Sequence, residues 1–142
     1  MRTKRAGARV ARAAGLLALV LSSGCDTNTN PVQPTPTVTT DTFTGTFGPQ
    51  GKNSHPFTVT EPGFMSVTII SLSPDPTLTV GIGLGAPSGA DCVLQLRNDA
   101  VHQASLLTAN ATVAGTYCVA IFDVGGLVED ATTDYAVQLS HF

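Results

Sequence analysis

From residue 41 onward the apolar positions recur with a period of two, which is the spacing of a strand with one face buried. In TFTGTF, Phe43 and Phe47 alternate with threonines, and Phe57 with Val59 resumes the pattern after the turn-like GPQGKNS. Glu61-Pro62-Gly63 has turn chemistry, FMSVTIISL reads as a strand, and SPDP at residues 73–76 turns the chain again. TLTVGIGL sets Leu78, Val80, Ile82 and Leu84 on one face with Thr and Gly on the other. DCVLQLR offers Cys92, Leu94 and Leu96 on one face, and two weaker runs follow near residues 104–108 and at Thr112. TYCVAIFDV is apolar on both faces and is expected to be a central strand, and DYAVQLSHF closes the chain with Tyr135, Val137 and Leu139 in alternation. No stretch after residue 25 has a helical period. Seven to nine short strands in about a hundred residues predict an all-β fold, an antiparallel β-sandwich or jelly-roll-like domain over residues 41–142.

The first forty residues read differently. Five of the seven basic residues (Arg2, Lys4, Arg5, Arg9, Arg12) precede AAGLLALVL, an apolar run of nine at residues 13–21. At about 1.5 Å per helical residue that run is too short to cross a bilayer core of roughly 30 Å. It closes on Ser22-Ser23-Gly24-Cys25. Basic start, short apolar run and small residues before a cysteine resemble the lipobox signal peptide of bacterial lipoproteins, with Ser22 and Leu21 in place of the usual leucine three residues before the cysteine. The resemblance implies residues 1–24 as a lipoprotein signal peptide, a lipid (palmitate-labelled in such proteins) on Cys25, and a domain anchored to a membrane of the bacterial cell envelope, facing the periplasm or the exterior.

Residues 26–40, DTNTNPVQPTPTVTT, hold only two aliphatic side chains, Val32 and Val38. They cannot bury enough apolar surface to offset the entropy of ordering, so residues 25–40 are expected to be lipidated Cys plus a disordered linker. Pro31, Pro34 and Pro36 favour extended conformations, and fifteen such residues at about 3.1 Å each would span roughly 45 Å.

Charge narrows the partners. After Cys25 only Lys52 and Arg97 are basic against ten acidic residues, a net −8. Such a domain is repelled by phosphate backbones, which argues against a nucleic-acid partner. Gly81-Ile82-Gly83-Leu84-Gly85 lacks the spacing and the following helix of a dinucleotide loop, which leaves no nucleotide and no cofactor expected. Glycines on the alternate face of a strand, where another backbone approaches closely, explain the run better.

With Cys25 given to lipid, Cys92 and Cys118 remain on predicted strands of an exported domain, where thiols are oxidised. A bridge between them is expected, with both side chains meeting in the core; a buried thiol pair is the alternative. Asp123, Glu129, Asp130 and Asp134 around VGGLVED are a candidate calcium loop, although their spacing is not that of an EF-hand and acidic loops are usually solvated. His55, His102 and His141 are expected to be solvated, and Ser54 beside His55 is no catalytic pair because neighbours on a strand point to opposite faces. There is no Trp for a sugar platform, and Phe43, Phe57, Tyr117, Phe122 and Tyr135 fall at core positions.

One further resemblance concerns the domain. TVAGTYCVAIFDVG, a short loop and DYAVQLS are similar to the ending of bacterial pre-peptidase C-terminal domains, and HPFTVTEPGFMSVTI to their opening. The resemblance implies a non-enzymatic β-sandwich accessory module with an envelope protein or glycan as partner. A calcium- or carbohydrate-binding module and a noncatalytic subunit of a secreted hydrolase are the alternatives.

Overall fold

The computed structural model describes residues 35–142; the signal-like segment, Cys25 and most of the Pro/Thr linker lie outside the described residues. Eight strands follow in order: β1 (Thr39–Phe47), β2 (Lys52–Val59), β3 (Gly63–Ser73), β4 (Val80–Ser88), β5 (Asp91–Val101), β6 (Leu106–Ala111), β7 (Gly115–Asp123) and β8 (Thr133–His141). They form two four-stranded antiparallel sheets, ordered β1-β8-β3-β6 and β2-β7-β4-β5. The domain is an all-β sandwich. Strand β1 starts at Thr39, so Thr39 and Thr40 belong to the sheet rather than to the linker and pair with His141 and Ser140.

The alternation becomes the core directly. Val80, Ile82 and Leu84 of β4, Val119 and Ile121 of β7, Val67 and Ile69 of β3, and Val137 and Leu139 of β8 are all buried between the sheets. Each such side chain contributes about 1.5–3 kcal/mol when removed from water. β7, apolar on both faces, is flanked by β2 and β4 and is central as its sequence predicts. The two weak runs near residues 104–108 and Thr112 resolve into one strand, β6; Ala104 sits in a turn at φ 70° instead, where Ser105 N–H donates to His102 O at 3.0 Å.

The second face of β4 is where the fold departs from a simple sandwich. Gly81, Gly83 and Gly85 face outward yet are buried. A Cβ on Gly81 would meet the Phe122 ring at 2.0 Å, one on Gly83 the Leu96 carbonyl oxygen at 2.7 Å, and one on Gly85 the Val93 carbonyl oxygen at 1.9 Å. Gly83 and Gly85 therefore let the β5 backbone approach, as the sequence suggests, and Gly81 makes room for the Phe122 ring. The β4–β5 ladder shifts register beside Gly85 and continues to Ser88↔Asp91, beyond the last β4–β7 pair at Gly85↔Cys118. Gly89 at φ +62° opens the two-residue turn that joins the strands.

Candidate functional site

The tip of that hairpin lies against the outer face of β7 and β2. Cys92, at the start of β5, bonds Cys118 of β7 across a Cα–Cα distance of 5.8 Å. The disulfide does not sit in the inter-sheet core, as its apolar strand neighbours suggested. With Ala120 and Leu94 it forms a separate small cluster on the outside of the sheet, because Cys118 and Ala120 alternate with the core-facing Val119 and Ile121. Phe122 shares this outer face, against the expectation of a core position, and the Arg97 guanidinium stands 5.3 Å from its ring centre.

Beneath the hairpin is a cleft of about 280 Å³ lined by Ser54, Pro56, Pro87, Gly89, Ala90, Asp91 and Cys118. Lys52 reaches the lining residue Asp91: its Nζ donates to Asp91 Oδ1 at 2.9 Å and to the Cys92 carbonyl at 3.0 Å. The Lys52 hydrogen bond and charge hold the Asp91 carboxyl below its ordinary value. Four of its seven lining residues are proline, glycine or alanine, so beside Ser54 and Asp91 the cleft offers shape more than directed polar groups. A smaller cavity of about 160 Å³ opens between the sheets beside Leu96, Ala109 and Tyr117.

Two of the three histidines pack into the fold, contrary to expectation: His141 is buried and His55 half-buried. His55 faces inward, stacks on Phe43 with ring centres 4.8 Å apart and shares a 2.7 Å hydrogen bond with the Tyr135 hydroxyl. Burial lowers the His55 pKa and raises that of Tyr135, so both are neutral near pH 7. Room for the tyrosine comes from Gly45, where a Cβ would meet the hydroxyl oxygen at 2.6 Å. His141 is 3% exposed and places Nε2 3.0 Å from Asp41 Oδ2. Only His102 is exposed as predicted. Ser54 lines the cleft on the other side of β2 from His55, so these neighbours do not form a pair.

The candidate calcium loop does not assemble. Asp123 spends its carboxylate on backbone donors, Gln50 N and Gly126 N at 2.9 Å and Leu127 N at 3.2 Å. Burial alone would raise its pKa, but these N–H groups outweigh that and hold it below the ordinary value. Asp134 is bonded to Thr46, while Glu129 and Asp130 are exposed in the loop. No group of three or more potential metal ligands occurs among the described residues. Asp123 fastens a turn and Asp134 ties β8 to β1; loop spacing could not distinguish such roles from ligation.

No family model matches the chain, and no curated protein sequence matches it. Solved structures do. Aeromonas hydrophila PliG, a periplasmic inhibitor of g-type lysozyme, superposes with a TM-score of 0.51 at 13% identity over 77% of this chain and 91% of its own. The Yersinia pseudotuberculosis-derived mitogen superposes with a TM-score of 0.53 at 16% identity over 73% of this chain and 86% of its own. Identities this low establish a shared β-sandwich fold alone.

Proposed function

We propose that this protein is a non-enzymatic lipoprotein of the bacterial cell envelope. A lipid on Cys25 anchors it, residues 26–38 act as a spacer, and the sandwich binds a protein partner outside the cytoplasm. The observation that carries the extracytoplasmic reading is the Cys92–Cys118 disulfide, which joins two strands of the folded domain. Such bonds persist where thiols are oxidised and are rare in the cytosol. The anchor rests on the sequence Ser22-Ser23-Gly24-Cys25 after a short apolar run. A protein partner is supported by the fold, since the similar PliG is described as a lysozyme inhibitor.

Metabolic labelling with a palmitate analogue tests the anchor. The wild-type chain should label in a host with an active lipoprotein pathway, and Cys25→Ser should not. An unlabelled wild type would remove the anchor from the account.

A further inference from the structure

A sandwich has four edge strands, here β1, β6, β2 and β5. Each exposes a row of backbone N–H and C=O groups that can recruit another chain, and proteins usually blunt such rows with proline, charge, bulges or brevity. Three of these edges carry such devices. β2 has Lys52 and Pro56, β6 is only six residues long, and β5 carries Asp91, Arg97 and Asp99 along a ladder with two register shifts. β1 carries only one of them, the charge of Asp41. It runs nine residues, TTDTFTGTF, in unbroken register with β8, without proline or lysine. Its one charged residue, Asp41, bonds His141, which is buried.

We infer that β1 is a homodimerisation edge, pairing antiparallel with β1 of a second copy to join two sheets into one of eight strands. The strand is complementary to itself. Full overlap places Phe43 against Phe43, Thr42 against Thr44, Thr40 against Thr46, and Asp41 against Gly45. Outward residues then meet outward residues, as the pleat requires. The outer face gains Thr–Thr pairs, which are favourable across strands, and no like charges stand opposite. The interface is isologous and closes at two subunits, so an open edge here does not propagate into fibres. At the end of β1, Asn53 Nδ2 donates to the Thr46 carbonyl at 2.9 Å; this side chain is displaced as the second strand joins. Pairing does not depend on the lipid anchor, and an unacylated chain would dimerise by the same edge.

Cysteine pairs read the register. The full-length chain is expressed in a bacterial host as two copies with tags of different size, one carrying Thr42→Cys and the other Thr44→Cys. Directly opposed positions lie within the roughly 4.4–6.8 Å Cα span of a disulfide, so a mixed-size cross-linked product is expected. Thr42→Cys alone should give none, because its counterpart is offset by two positions along the strand. Thr40→Cys with Thr46→Cys repeats the test should the first pair disturb folding. In parallel, Thr42→Lys/Thr44→Lys sets lysine against lysine twice and should convert a dimeric native mass to a monomeric one, with Cys92–Cys118 still formed as a check of folding. Failure of both cysteine pairs to cross-link, equal cross-linking by Thr42→Cys alone, or a dimer that survives both lysines overturns the proposal.

Discussion

Partial burial lowers the pKa of His55 because an imidazolium packed against Phe43 and Tyr135 would lose part of its hydration. Stability should therefore depend on pH in one direction. Above about 6.5, the ordinary histidine value, folded and unfolded chains both hold His55 neutral and the group contributes nothing. Below it the unfolded chain takes up a proton that the folded chain resists, so the fold loses stability as pH falls. Urea midpoints at pH 8, 6.5 and 5 should drop more steeply for wild type than for His55→Gln, which still offers Tyr135 a hydrogen-bond partner but does not titrate; parallel curves would contradict this. Asp123 acts in a lower window. Its carboxyl is held down by backbone donors, so its contribution is present at neutral pH and disappears only as carboxylates protonate. Spacing along the chain carries none of this: His55 and Tyr135 lie 80 residues apart and meet because β1 and β2 close one side of the sandwich.

At the scale of elements, the β4–β5 hairpin concentrates the constraints. A methyl at Gly85 would meet the Val93 carbonyl oxygen at 1.9 Å, a backbone atom that cannot rotate away. Gly85→Ala should cost at least the roughly 1–3 kcal/mol typical of overpacking, read as a lower urea midpoint, whereas a near-neutral effect would mean that the β5 backbone does not lie over β4. Replacing Cys92 and Cys118 by serine releases the hairpin tip. For a loop of 26 residues the expected loss is about 3–4 kcal/mol on the chain-entropy model; no change in the midpoint would remove the clamp from the account. Much of this was legible in the sequence. Strict alternation in TLTVGIGL separates core-facing Leu and Val from glycines that admit a neighbouring backbone, and the doubly apolar TYCVAIFDV marks a central strand. The side of the sheet that holds the disulfide was not. Period two assigns Cys92 and Cys118 to faces with apolar neighbours, but only the coiling of the hairpin makes an outer face dry enough to bury them.

The whole molecule divides by charge and composition. A basic, apolar start, a spacer rich in threonine and proline, and an acidic sandwich follow one another, with net −8 after Cys25. Such a domain is repelled by anionic headgroups, so the proposed lipid on Cys25 would hold it at a membrane without electrostatic attraction. The most direct measurement is intact-mass and N-terminal peptide spectrometry on the full-length chain recovered from host membranes. The account predicts a mature chain that begins at Cys25 and carries diacylglycerol on its sulfur. A chain recovered unacylated, or cut elsewhere with Cys25 unmodified, would contradict it.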